Sequence, residues 1–238
     1  MKRTGMIGLA SIMIVILIVS LSGCTDVNQT NAPPTDYRSN VMFVNLSHVG
    51  SGMSISFDTT HSLGTVAYAQ KSTYQNLPAG SRYFIFNYGA AADTLNRGFD
   101  ADNQYTFFSV FEPANGDVSR HYELVGQGYT WASAGVKDSA LVRFVNMSSD
   151  TISDFSSGLS FTLGPASLNL VATGVQFGGS TSYMKVAAGN SSYMVVVEAT
   201  GDTLIPSAQL SALQSYGRYS VVIYGNNTSI QTLVVQEH

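Results

Sequence analysis

The chain contains one seven-residue phrase twice: VMFVNLS at residues 41–47 and VRFVNMS at residues 142–148, one hundred and one positions apart. Both read as the end of a buried strand running into a turn. Val and Phe favour a pleated, half-buried surface. Asn can close an Asx-turn on backbone two residues ahead, and Ser then caps the loop. A repeated phrase of this kind restricts the chain to a duplicated architecture.

The repetition continues beyond the phrase. GMSISFD at 52–58 matches GLSFTLG at 158–164, with apolar residues alternating as Met53, Ile55, Phe57 and Leu159, Phe161, Leu163. Period two marks a half-buried strand. Residues 66–95 align without gaps to 175–204, with eight of thirty positions identical, among them Tyr74 with Tyr183 and Gly80 with Gly189. NQYTFFSV at 103–110 then faces GRYSVVIY at 217–224, and VSRHYELV at 118–125 faces TSIQTLVV at 228–235. The offset drifts in small steps, as loop insertions between matched strands produce.

The expected organisation is a segment 24–38, a first repeat at 39–126, a linker at 127–138 and a second repeat at 139–238. Each repeat holds about seven short strands separated by turn residues, which predicts an all-β chain of two tandem immunoglobulin-like antiparallel β-sandwiches. Helical period is nearly absent; only residues 207–215, containing AQLSALQ, suggest a turn or two of helix. The expected core is aromatic in the first copy (Phe84, Phe86, Tyr88, Tyr105, Phe107) and falls at Tyr193, Val195, Val197, Tyr219 and Val221 in the second.

The two repeats resemble the bacterial domain of unknown function 4397 family. The resemblance is carried by Val41, Phe43, Asn45, Ser47, Tyr74 and Gly80, and by Val142, Phe144, Asn146, Ser148, Tyr183 and Gly189. It implies a sandwich-like, envelope-associated domain, often in tandem, and brings no catalytic residues.

The N-terminus reads as a processing signal. Lys2 and Arg3 precede an apolar run at 6–21, which is short for spanning a membrane. It ends in Leu21-Ser22-Gly23-Cys24, which resembles the bacterial lipobox. That resemblance implies lipid attachment at Cys24, removal of residues 1–23 and anchoring to a membrane through acyl chains. Cys24 is the single cysteine of the chain, so no disulfide is expected. Thr25 follows it, with the aspartate one place later at Asp26. In the enterobacterial sorting pattern this favours the outer membrane where the source has two. Residues 25–38, polar and with a Pro33-Pro34 pair, read as a tether spanning roughly 20 Å.

Removing residues 1–23 takes away two of eleven basic and none of fifteen acidic residues, moving the net charge from −4 to −6. A mildly acidic body without a basic run argues against nucleic acid as a partner. Only 11% of residues are charged; Ser, Thr, Asn and Gly cover the polar faces instead, a surface suited to glycans or other envelope proteins.

Motifs of chemistry are sparse. His48, His61, His121 and His238 lack metal-ligand spacing, so no metal or cofactor is expected. No G-x-S-x-G elbow occurs. Lys71 and Ser72 are adjacent, and neighbouring strand residues face opposite ways. Asp93-Thr94-Leu95 recurs as Asp202-Thr203-Leu204, more in keeping with a turn than with catalysis, and Asp100 and Asp102 form a faint acidic corner. Trp131, with Tyr129, is the tentative ligand contact, as a ring platform for a sugar or an apolar partner; its other reading is a plug between the domains. The expected function is therefore a non-catalytic, lipid-anchored envelope protein with a structural or binding role. A carbohydrate-binding or adhesin module is the alternative, using loops near Trp131 or the Gly178-Gly179 turn, and a hydrolase with a loop-built site is a third reading.

Overall fold

The computed structural model describes residues 36–47, 51–59, 61–89, 91–112, 118–126, 138–148, 158–164, 169–225 and 229–237, with backbone alone for 111, 112 and 118–126. Residues 37–238 form one compact unit. All regular structure among the described residues is strand.

The first half contributes nine strands: β1 (Arg38–Asn45), β2 (Met53–Phe57), β3 (His61–Val66), β4 (Gln70–Lys71), β5 (Gln75–Pro78), β6 (Gly80–Asn87), β7 (Ala92–Phe99), β8 (Gln104–Glu112) and β9 (Val118–Gly126). The second contributes eight: β10 (Ser139–Ser148), β11 (Leu159–Gly164), β12 (Asn169–Val175), β13 (Met184–Ala187), β14 (Gly189–Val197), β15 (Thr203–Leu213), β16 (Arg218–Gly225) and β17 (Gln231–Gln236). Each half is two sheets face to face. In the first, an inner sheet ordered β4-β1-β8-β9, with β5 also on β1, covers an outer sheet β3-β2-β6-β7. In the second, the inner sheet is β13-β10-β16-β17 and the outer β12-β11-β14-β15. The predicted all-β sandwich pair is what the chain adopts. Each half has one parallel pair, β1 with β8 and β10 with β16.

Alternation sends Val41 and Phe43 of β1, with Tyr105 and Phe107 of β8, against Met53, Ile55, Phe84 and Phe86 of the outer sheet. The expected aromatic core is present: Phe84 and Phe86 are fully buried, and Tyr88, Tyr105 and Phe107 nearly so. Phe84 meets Phe99 edge-on at 5.6 Å and 88°, and Phe43 stacks on Phe107 at 5.7 Å. In the second half, Val142, Phe144, Tyr219 and Val221 face Phe161, Tyr193, Val195 and Val197. Each such side chain contributes about 1.5–3 kcal/mol by leaving water.

The other face of each inner sheet is buried too. Met42, Val44, Leu46, Phe108 and Val110 of the first half share a third cluster with Val145, Met147, Val222, Tyr224 and Val235 of the second. The inner sheets therefore pack on one another, giving four layers: outer, inner, inner, outer. This explains the largely apolar sequences of β1, β8, β10 and β16, since strands buried on both faces lose most of the polar half of their alternation.

The expectation of helix at 207–215 is corrected. Residues 207–213 lie in β15, paired with β14, and 214–215 follow it in a turn. Register shifts in that pair, including one between Gly189 and Ser191, go with Ala212 at φ +57°. The irregularity places Leu210 and Leu213, three apart, both inward. That i, i+3 spacing is what imitated a helical face.

Candidate functional site

The repeated phrase is built identically in both halves. The Asn45 Oδ1 accepts from the Ser47 amide at 2.9 Å, and the Asn146 Oδ1 from the Ser148 amide at 3.1 Å. This is the Asx-turn the sequence predicts. The other end of each amide does more: Asn45 Nδ2 donates to the Val66 carbonyl at 2.9 Å, and Asn146 Nδ2 to the Val175 carbonyl at 2.8 Å. Since Val66 ends β3 and Val175 ends β12, each asparagine staples an inner sheet to its outer one. Three further pairs repeat. The Ser72 Oγ accepts from the Phe43 amide and the Thr181 Oγ1 from the Phe144 amide, both at 3.0 Å. The Asp100 amide donates to the Tyr105 hydroxyl at 2.8 Å, and the Gln214 amide to the Tyr219 hydroxyl at 2.9 Å. The Ala69 amide donates to the Asn45 carbonyl and the Gly178 amide to the Asn146 carbonyl, with Ala69 and Gly178 both at positive φ.

Among the described residues a buried polar cluster lies where the inner sheets meet, and it belongs to one half only. Arg143, on the β10 face that turns toward the first half, is 5% exposed, as is Glu237, just past β17. The Arg143 Nη2 donates to the Glu237 Oε1 at 2.7 Å, and the Arg143 Nε to the Ser220 Oγ at 2.8 Å. The Ser220 hydroxyl and the Tyr183 hydroxyl both donate to the same carboxylate. The Arg143 guanidinium lies over the Tyr183 ring, 4.6 Å from its centroid, a cation–π contact strengthened by desolvation. A buried ion pair is retained only when its hydrogen-bonding groups are met, and Glu237 has three donors here.

The electrostatics follow from burial. The Tyr183 phenol is pushed well above its ordinary value by burial first and by repulsion from Glu237 second. Tyr74 moves the same way, again mainly by burial. Tyr224 is pushed up to about 12 by burial and then by Tyr68, whose ring meets it edge-on at 5.9 Å across the seam. Lys71 is pulled down by partial burial, with Glu237 opposing; its Nζ donates to the Gln236 carbonyl at 2.7 Å, tying the halves together. Ser220 is fully buried, and its hydroxyl is engaged on both sides. The cluster acts as a brace.

The residues singled out in the sequence are dispersed. Cys24, Tyr129, Trp131, His48 and His238 lie outside the described residues, and for His121 backbone alone is described. His61 sits on β3 beside Phe57. The Ser72 hydroxyl donates to the Thr73 carbonyl, away from any dyad with Lys71. The Asp93 carboxylate accepts from the Thr94 amide, and the Asp202 carbonyl from the Val197 amide; the Tyr88 amide donates to the Ala91 carbonyl at the corresponding turn. The acidic corner at Asp100 and Asp102 is the turn bound to the Tyr105 hydroxyl, with Asp102 at φ +61°. Among the described residues no three His, Cys, Asp or Glu side chains gather as a metal site. The Gly178-Gly179 turn is held against Asn146 on both sides of the chain. Arg143 and Glu237 were missed. The available signal was a charge inside an apolar phrase, where the first copy has Met42.

No known family and no curated protein matches the chain by sequence. Solved structures resemble it distantly. The Bacillus anthracis TIE protein aligns over 79% of this chain and 34% of its own length, at 9% identity and a TM-score of 0.26; the chain thus spans about a third of that protein. A proposed cell adhesion protein from Bacteroides uniformis aligns over 86% and 98%, at 12% identity and a TM-score of 0.30. The family 26 carbohydrate-binding module CBMbc of Eubacterium rectale Amy13K, in complex with maltoheptaose, aligns over 84% and 97%, at 11% and 0.27. Likeness at this level assigns no functional residue.

Proposed function

We propose that the chain is a lipid-anchored protein of the bacterial cell envelope, attached through Cys24, whose paired sandwiches serve a non-catalytic structural or binding role. One observation carries the role: three polar pairs shared by the copies, Asn45 with Asn146, Ser72 with Thr181 and Tyr105 with Tyr219, are bound to backbone in the same way. Duplication kept a scaffold, and what it kept is engaged in holding that scaffold. The anchor rests on the Leu21-Ser22-Gly23-Cys24 sequence. Metabolic labelling with a fatty-acid probe tests it: the native chain takes up label and fractionates with membranes, while Cys24→Ala does neither. Label retained on Cys24→Ala would place the lipid elsewhere.

A glycan-binding role is the second reading. The outer face of β6 presents Tyr83, 42% exposed, with Asn96 opposite it on β7 and Ser54 opposite Asn87. The Tyr83 amide donates to the Asp58 carboxylate, and a ring beside a carboxylate and neutral amide and hydroxyl groups suits a sugar face. Tyr83 thereby joins Tyr129 and Trp131 as a candidate platform. On a glycan array, binding that is lost with Tyr83→Ala or Trp131→Ala supports this reading, and a native chain that binds no glycan removes it.

A further inference from the structure

Strand alternation gives the outer sheet of the first half a core face and an outward face. Phe84 and Phe86 of β6 are fully buried, so Tyr83 and Ile85 between and beside them turn outward, and Tyr83 is exposed. Register continues the outward face onto both neighbours. Ser56 of β2 lies beside Ile85, while Thr94 and Asn96 of β7 lie beside Ile85 and Tyr83. The charged residues of β6 and β7 take the alternate positions, Arg82 opposite Arg97 and Asp93 opposite Phe86. The Arg82 guanidinium donates to the Pro78 and Ala79 carbonyls at 3.1 and 2.8 Å. The outward positions of β2, β6 and β7 are therefore without charge.

One ring stands on this face, with polar groups fixed on either side of it. Toward β2, the Asp58 carboxylate accepts from the Tyr83 amide at 3.2 Å, and the Asp58 amide donates to the Tyr83 carbonyl at 2.8 Å. Toward β7, the Ser81 hydroxyl donates to the Asn96 Oδ1 at 2.8 Å, which leaves the carboxamide nitrogen as the donor turned away from Ser81. Neighbouring strands lie about 4.8 Å apart, so Asp58, Tyr83 and Asn96 span roughly 10 Å across the sheet, about the length of a disaccharide. The second half has no such group: Ser192 aligns with Tyr83 and Gly164 with Asp58. The polar pairs shared by the copies hold the scaffold, whereas this ring and carboxylate belong to one copy.

We propose that this face binds a neutral glycan, an inference that rests on the glycan-binding reading above and names its ligand class and place. A pyranose has a face of C–H bonds, apolar enough to lie on the Tyr83 ring, and hydroxyls around its rim. Those hydroxyls donate to the Asp58 carboxylate on one side and accept from the Asn96 carboxamide on the other; a few convergent polar groups of this kind fix a ligand's orientation. Charge decides the class. A uronate or sulfate group meets the Asp58 carboxylate with no cation at the outward positions to offset the repulsion. Arg82, 3.7 Å from that carboxylate, is held by the two loop carbonyls and adds to its fixing rather than to the face.

An array carrying cello-, xylo- and manno-oligosaccharides beside oligogalacturonates, probed with the detergent-solubilised full-length chain, tests the class and the place together. The native chain is expected to bind at least one neutral series, and the oligogalacturonates about ten-fold more weakly or not at all. Tyr83→Ala and Asn96→Ala are each expected to weaken neutral binding by about ten-fold, while Ser192→Ala, at the aligned position of the second half, leaves it unchanged. Asp58→Asn, which keeps an acceptor for the Tyr83 amide, is expected to narrow the gap between neutral and anionic series. Oligogalacturonates bound as tightly as the neutral series, or neutral binding that survives both Tyr83→Ala and Asn96→Ala, overturns this inference and leaves the glycan reading standing. A native chain that binds none of the four series overturns both. Should Tyr83→Ala fail to fold, Asn96→Ala decides the place.

Discussion

The two sandwiches share a frame and differ in nearly everything that fills it. The first core is aromatic, with Phe43, Phe57, Phe86, Phe99 and Phe107 each in ring contact with Phe84. The second is mainly aliphatic, with Phe144 stacked on Phe161 at 4.6 Å as its principal ring pair. At the seam, Met42 in one copy corresponds to Arg143 in the other, Thr106 to Ser220 and Val110 to Tyr224. The hydrogen bonds that set the loops have not changed. Apolar filling of about the right volume is interchangeable, whereas a buried amide or hydroxyl must keep a partner in a fixed direction. The polar staples define this fold more narrowly than its core does.

The seam offers the strongest way to break that comparison. Arg143→Met gives the second copy the residue of the first, but it strands the Glu237 carboxylate in an apolar layer. Removing one partner of a buried pair costs about 3–5 kcal/mol, and denaturant unfolding is expected to show a loss of that order. Adding Glu237→Gln removes the uncompensated charge and is expected to restore most of the loss. Equal stability of the single and double variants would mean that water reaches the carboxylate, and that the halves differ less at the seam than the geometry says.

The staples should behave oppositely, with both copies responding alike. Asn45 and Asn146 are almost fully buried and make the same two bonds. Asn45→Ala and Asn146→Ala are each expected to cost about 1–3 kcal/mol, through the carbonyl and amide left unmet. Thermal unfolding of the two variants side by side measures this. A clear inequality would show that one staple is redundant.

How much of this could be read from the sequence depends on which interaction is local. The Asx-turns were legible because Asn45 to Ser47 lies within one phrase. The core of each half was legible because alternation assigns a face, and Phe84, Phe86 and Tyr88 fall on it. The second bond of each asparagine was not legible, since Val66 and Val175 are brought near only by sheet packing. The stacking of the inner sheets was hinted at by the apolar runs themselves: VMFV and LVRFV leave too few polar positions for one side to face water. β15 misled because a register irregularity has no composition of its own. The ion pair of Arg143 and Glu237 spans ninety-four positions and could be announced only by the oddity of an arginine in a buried strand.

Alkaline titration gives the smallest effect and the sharpest contrast. Tyr224 has Val110 as its counterpart, so the first half has nothing to ionise at that point. In the folded chain the Tyr224 phenol is pushed up to about 12, by burial and by Tyr68, while an unfolded tyrosine ionises near 10. The folded state therefore holds its proton where the unfolded state has released it. The stabilisation this gives is complete below pH ~10 and is lost as the pH rises through about 12. Tyr183 and Tyr74, also raised, act in the same direction, so the melting temperature is expected to fall steadily above pH ~10. Tyr224→Val, which restores the first copy's residue, is expected to make that fall shallower. Tyr68→Phe is expected to move the Tyr224 ionisation downward but not back to the unfolded value, because burial is the larger cause; the tyrosinate absorbance difference between variants with and without Tyr224 reads this. If the alkaline limb is unchanged in Tyr224→Val, the seam is open to hydroxide in the native state, and the tyrosine is no more sheltered than the valine it replaced.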